Sequence, residues 1–258
     1  MLATASGTLD GIAYRVLGEG GPITVFAHGL GGSTAETRPL AQRVPGTRVL
    51  LDFRGHGDSD RLENGWDYEL LAGDLLAVAD ATGATQAVGL SLGAGALLRL
   101  LDRDPDRFSK VAFVLPAAID STRKDGATLR LQRLGDAISR CDARGAADLL
   151  LDELPMEVRH RRGIDALVLR RATQLVTRPA PAPRYDDRPL LDRSALTHIR
   201  CPALVIGQRH DPLHPAGLAA ELALALPQAE LVTLDEGGVF WTQLPEAQQA
   251  LARHLMED

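Results

Sequence analysis

The chain of 258 residues has two cysteines, Cys141 and Cys201, too few and too isolated for a disulfide framework. A reducing, cytoplasmic setting is expected. No run approaches the roughly 20 apolar residues that a membrane helix needs. The first residues, Met1-Leu-Ala-Thr-Ala-Ser6, have neither the basic start nor the apolar stretch of a secretory signal. Net charge is −6 with both signs interleaved, so no basic stripe points to nucleic acid or an anionic membrane. No glycine-rich loop carries a phosphate-binding lysine, which disfavours nucleotide chemistry. No internal repeat is visible. Cysteine and histidine spacing offers no convincing metal site, although Asp211 with His210 and His214 superficially imitates one. Neither metal nor cofactor is expected. What remains is an apolar fraction of 45%, ordinary for a globular protein with a sizeable core.

Against that background the pentapeptide Gly89-Leu90-Ser91-Leu92-Gly93 stands out. It follows the apolar pair Ala87-Val88 and opens an apolar helical stretch, Ala94 to Leu101. G-x-S-x-G between a strand and a helix predicts a tight turn that lifts the serine hydroxyl above a sheet edge, poised for acyl transfer. Glycines are needed there because a Cβ would crowd the turn.

Short apolar runs recur on either side. Leu9–Leu17 reads as an early antiparallel strand or hairpin. Ile23–Ala27, Thr47–Leu51, Gln86–Leu90 and Lys110–Leu115 read as buried strands. Helices fit between them: one capped by Ser33 or Thr34 and running to Val44, and one over Asp67–Thr82 with apolar residues at helical spacing. This alternation predicts an α/β fold with a mostly parallel central sheet covered on both faces. Pro116–Arg200 breaks the rhythm with helical stretches at Leu129–Ile138 and Ala143–Leu151 and a proline-rich connector at Pro179–Pro183. The strands resume at Pro202–Ile206 and Leu231–Leu234. Helices are expected over about Pro215–Leu226 and from Pro245, a residue tolerated at a first helical position. The expected organisation is a core of residues 1–115 and 201–258 interrupted by a helical insertion, 116–200.

Four motifs together resemble the α/β-hydrolase superfamily over nearly the whole chain. They are His28-Gly29 after the third strand, Arg54-Gly55-His56-Gly57 after the fourth, the turn at Ser91, and Asp211 after the Pro202–Gly207 strand. Asp104-Pro-Asp-Arg-Phe108 after the Ala94–Leu101 helix, the D-x-x-H-P loop and the Gly-Gly-x-x-Trp ending resemble small bacterial, actinobacterial-type members. The resemblance implies Ser91 as nucleophile, Asp211 as the acid that orients a histidine, and the backbone N–H groups of Leu30 and Leu92 as an oxyanion hole. It also implies that residues 116–200 form a cap that shapes the substrate pocket.

The resemblance fails at one place. The family's histidine should follow the last strand, where this chain reads Asp235-Glu-Gly-Gly-Val-Phe-Trp241, with Gly238 at the expected position. Glycine cannot accept a proton, and serine is a weak nucleophile without a base. A histidine placed at 238 is therefore expected to raise activity if that position is simply vacated. Trp241 and Phe240 read as core-packing residues, or as filling the space an imidazole would take.

Seven histidines compete for the role: His28, His56, His160, His198, His210, His214 and His254. His254 lies about nine residues, some 13 Å, into the last helix and should point away. His28 and His56 read as packing residues of their loops, Arg54 as a structural neighbour, and His160 and His198 as parts of the insertion or its exit. His214, on the post-strand loop that carries Asp211, is the best candidate, because open α/β sheets bind ligands at the carboxyl ends of their strands. Three residues of separation leave little room for the usual relay, so Asp211-x-x-His214 also reads as a loop contact, and Asp211 as a cap for the following helix. Asp120 is an alternative acid or a turn residue. The arginines of the insertion, Arg170 and Arg171 among them, read as solvated faces, with a minority available to an acidic substrate.

Two functional readings stand. One is a serine hydrolase of a small carboxylic ester, thioester or lactone, a monomer or homodimer whose partner is a small-molecule substrate. The other is a non-hydrolytic member of the same fold that binds a small ligand or assists a biosynthetic pathway.

Overall fold

A computed structural model describes residues 4–122, 126–183 and 187–256. Eight strands form one sheet in the order β1-β2-β4-β3-β5-β6-β7-β8. Strands β1 (Thr4–Leu9) and β2 (Ile12–Leu17) make the antiparallel hairpin at one edge. Strand β2 also runs antiparallel to β4 (Thr47–Leu51), and all later pairings are parallel. These link β3 (Ile23–Ala27), β4, β5 (Gln86–Leu90), β6 (Lys110–Val114), β7 (Ala203–Gln208) and β8 (Ala229–Leu234). Strand β5 lies buried along its whole length at the centre of the sheet, as a continuously apolar run with helices above and below requires.

Alternate residues of each strand feed two cores. On one face Val25, Val49, Ala87, Val111 and Val205 meet helices α2 (Tyr68–Thr82), α3 (Leu92–Arg103) and α8 (Ala216–Ala225). On the other, Phe26, Leu50, Val88, Ala112 and Leu204 meet α1 (Thr34–Ala41) and α9 (Leu244–Leu255). The expected caps are present: Ser33 Oγ accepts from Ala35 N–H, and Asp67 Oδ1 from Leu70 N–H.

Between β6 and β7 lie α4 (Gly126–Ser139), α5 (Ala143–Asp152), the single turn α6 (Met156–Arg159) and α7 (Ile164–Thr177). Of these helices the sequence reading singled out stretches within α4 and α5, but not α7. These helices share a separate apolar cluster built on Ala137, Ala146, Val158, Ile164, Val168 and Ala172. Trp241, reaching up from the end of the core, packs against the same cluster. Among the described residues no helix is long and apolar enough to cross a membrane.

Candidate active site

The turn after β5 is tight for identifiable reasons. A Cβ at Gly89 would lie 2.5 Å from the Gly93 carbonyl oxygen and 2.7 Å from Ala94 N. One at Gly93 would lie 2.5 Å from the Ala27 carbonyl oxygen. Both glycines therefore permit close approach of backbones, and it is Ser91 itself that carries the unusual dihedrals, φ 51° and ψ −106°. A non-glycine residue there stores on the order of 1–3 kcal/mol, which the surrounding structure must hold in place. Two backbone bonds do so: Ser91 N–H to Val114 O (2.9 Å) and Gly93 N–H to His28 O (3.1 Å).

The loop after β7, two strands along the sheet from β5, reaches back to Ser91. His214 Nε2 lies 2.9 Å from Ser91 Oγ, and His214 Nδ1 lies 3.1 Å from Asp211 Oδ2. A carboxylate only accepts, so Nδ1 carries the proton and Nε2 is left as the acceptor for the serine hydroxyl. Three residues suffice for this contact because Asp211 folds the loop onto itself. Its Oδ1 accepts from Leu213 N–H (2.7 Å) and His214 N–H (2.9 Å), while Oδ2 is kept for the imidazole. Burial alone would raise the Asp211 carboxyl, but the hydrogen bonds and charge of His214 and the two backbone N–H groups hold it below the usual carboxylate range. Asp211 does not cap α8, whose N-cap is Pro215.

The loop after β3 forms the third side. Several nearby N–H groups are committed: Gly29 to Glu36 Oε2 (2.9 Å), Gly32 to Gly29 O, Ser91 and Gly93 as above. Leu92 stands in the first turn of α3, where a backbone N–H has no intrahelical partner. Among the described residues neither the Leu30 nor the Leu92 N–H is hydrogen-bonded within the loops, turns and caps.

Glu36 was not singled out by sequence. Ser33-x-x-Glu36 has the spacing of a capping box, in which the glutamate would turn back to the Ser33 N–H. Its carboxylate bonds Gly29 instead and lies in a cradle of glycines; a Cβ at Gly32 would fall within 2.2 Å of Oε2. Burial pushes this carboxyl up, opposed by the Gly29 N–H, the Arg171 guanidinium and His214.

The other histidines lie in other settings. His28 is fully buried; its Nδ1–H donates to Gly29 O (2.7 Å) and its Nε2 accepts from Phe53 N–H (3.0 Å). Burial, with help from His56 and Arg171, brings its pKa down to about 3. His56 is brought down to about 4, again mainly by burial. Arg54 Nε donates to the buried Asp74 (2.7 Å), which pins the loop that carries His56. His254 donates to Val111 O (2.9 Å) on β6, and His210 pairs with Glu236 (3.3 Å) at the surface. His160 and His198 are exposed. Asp120 is held by Arg193 (2.7 Å), which lowers its carboxyl.

Gly238 is not an empty socket. Residues Gly238–Thr242 form a single wide π-helical turn. Gly238 has φ +80°, and a Cβ there would lie 2.7 Å from Trp241 Cδ1 and 3.5 Å from Pro155 Cγ. Phe240 packs with the sheet, while Trp241 turns to the α4–α7 cluster.

The model of the family described as "Alpha/beta hydrolase family" matches residues 24–253. The chain is 29% identical over 238 residues to the Bacillus subtilis AB hydrolase superfamily protein YisY, with 86% of each chain covered. The naproxen esterase (carboxylesterase NP) of B. subtilis superposes with a TM-score of 0.75 at 17% identity, over 97% of this chain and 90% of that one. An esterase from Exiguobacterium antarcticum superposes with a TM-score of 0.72 at 21% identity, over 99% of both. At these identities the two structures speak for the fold.

Proposed function

The chain belongs to the alpha/beta hydrolase family, and from that premise we propose that it is a serine hydrolase of small carboxylic esters, thioesters or lactones whose general base is His214. The observation that carries this reading is the unbroken line from Asp211 through His214 to Ser91, with separations of 3.1 and 2.9 Å. Both lie within the range a general base needs.

In the first half-reaction Ser91 Oγ attacks the substrate carbonyl carbon and its proton passes to His214 Nε2. The Asp211 carboxylate stabilises the resulting imidazolium without taking its proton. The carbonyl oxygen becomes an oxyanion, met by the N–H groups of Leu30 and Leu92; each such donor lowers the barrier by about 3–4 kcal/mol. Collapse expels the alcohol, thiol or ring oxygen, which takes the proton back from Nε2 and leaves an ester on Ser91. In the second half-reaction a water gives its proton to Nε2 and its hydroxide adds to that ester. Collapse then returns the proton to Ser91 Oγ and releases the acid. We read residues 116–200 as the cap that bounds the substrate, with α7 facing the Leu30 loop.

Hydrolysis of 4-nitrophenyl esters tests this reading. Ser91→Ala should abolish turnover, leaving a rate at least about a thousandfold lower. Unchanged turnover in that variant would remove Ser91 from the chemistry. A wild-type protein that binds small esters yet never cleaves them would establish the non-hydrolytic alternative.

A further inference from the structure

The two sides of Ser91 carry opposite charge. On the acid-loop side stand Asp211 and the glutamate at the end of α5, Glu153, whose carboxyl feels the Asp211 charge. On the oxyanion-loop side the charge is positive and comes from α7. Arg171 extends from that helix to the Gly29–Gly32 loop, where its Nη2 donates to Gly31 O, one residue from the Leu30 N–H. The helix is pressed onto the loop: a Cβ at Gly31 would meet Leu175 Cδ2 at 3.0 Å and Arg171 Nη2 at 4.0 Å.

This arginine is under-used. A guanidinium carries five N–H donors, and here a single backbone carbonyl is bonded. Among the described residues it joins no ion pair. The acidic group that feels it, Glu36, is bonded to the Gly29 N–H and makes no ion pair with the guanidinium. The imidazoles of His28 and His56 feel its charge and stay neutral at physiological pH, so they neither balance nor repel a ligand. The result is a half-buried cation with no ion-pair partner among the described residues, beside the position of the substrate carbonyl, anchored at one nitrogen and with the rest of its fork unassigned.

We propose that Arg171 is a specificity-determining residue that binds a carboxylate carried by the substrate, so that the preferred substrates are esters bearing a free carboxylate. The substrate class follows from the fork geometry, since a guanidinium matches a carboxylate better than it matches a neutral ester chain. Arg171 Nη2 stays on Gly31 O while the remaining donors receive the anion, which lands on the oxyanion-loop side and away from Asp211 and Glu153. The inference rests on the hydrolase reading of Ser91, His214 and Asp211, and its test separates the two.

The mono-4-nitrophenyl ester of adipic acid and 4-nitrophenyl hexanoate have acyl chains of equal length and differ in the terminal carboxylate. Wild-type protein should favour the anionic ester by about tenfold in kcat/KM, the effect expected of one charge-assisted hydrogen bond. Arg171→Met should erase the preference, whatever the absolute rates, and Arg171→Lys should keep part of it. A ratio unchanged between wild type and Arg171→Met overturns the proposal and leaves the arginine as a brace for the loop. A second readout needs no turnover: calorimetric titration of Ser91→Ala with monomethyl adipate. Binding should weaken about tenfold when Arg171→Met is added. Absent binding, or binding indifferent to Arg171, overturns the proposal. Arg171-dependent binding without ester turnover in the wild type would preserve the recognition site and refute the hydrolase reading alone.

Discussion

Replacing Gly238 by histidine puts an imidazole where the sequence resemblance led one to expect the base, and it should make the protein worse. Two costs follow from the geometry. The backbone at 238 has φ +80°, a left-handed conformation that a side-chain-bearing residue adopts at a cost of roughly 1–2 kcal/mol. The new Cβ would lie 2.7 Å from Trp241 Cδ1, below any real carbon–carbon contact, with Pro155 closing the other side. Relieving that overlap displaces Trp241 from the α4–α7 cluster, and overpacking of this kind costs about 1–3 kcal/mol. The sum, roughly 2–5 kcal/mol, corresponds to a fall in Tm on the order of 5–15 °C for a chain of this size. Thermal melts followed by circular dichroism read the stability, and 4-nitrophenyl ester hydrolysis reads the activity. A Gly238→His variant that melts with the wild type and hydrolyses esters faster would refute the reasoning, because it would show the position to be vacated rather than filled.

Two further outcomes are expected. Burial, countered by Arg130 and reinforced by Asp211, raises the Glu153 carboxyl to about 7. Since the folded value exceeds the unfolded one, the folded state holds the extra proton, and this stabilisation is complete below the unfolded pKa and is lost as pH rises through about 7. Glu153→Gln should therefore gain on the order of 2–3 kcal/mol over the wild type between pH 5 and pH 8, measured by urea unfolding; parallel pH profiles for the two proteins would contradict this. Gly93→Ala, whose Cβ would meet the Ala27 carbonyl at 2.5 Å, should misplace the Ser91 turn and lower kcat by about a hundredfold or more, with a smaller change in KM. A wild-type kcat in that variant would show the turn to be slack.

What could be read from the chain and what could not divide along physical lines. Strands β3 to β7 were legible because each is a short apolar run bounded by glycine, proline or charge, and the order of loops followed from them. The Ser91 turn was legible because close backbone approach leaves few residue types free. The proximity of Asp211 and His214 was legible as spacing, but its geometry was not. Sequence separation suggested too little room, whereas the structure resolves it with an aspartate that bonds two backbone N–H groups and still faces the imidazole. At Gly238 the sequence showed a glycine with Phe240 and Trp241 close by, but the wide turn that brings Trp241 over it has no signature in hydrophobic spacing. Glu36 was invisible as a site residue because its contact is to a backbone group, Gly29 N–H, that every sequence possesses; Arg171 could be named only as one of several insertion arginines, because its bond to Gly31 O leaves no mark in residue spacing.

The account turns on one hydrogen-bonded pair, and a labelling rate measures it directly. An active-site-directed fluorophosphonate reacts with a serine only when a base takes its proton. Wild-type protein should be modified quickly and at Ser91 alone, as located by peptide mass spectrometry. His214→Ala should be modified more slowly by about a hundredfold or more, and Ser91→Ala not at all. Rapid labelling of Ser91 in the absence of His214 would contradict the assignment of the base, and with it the central claim.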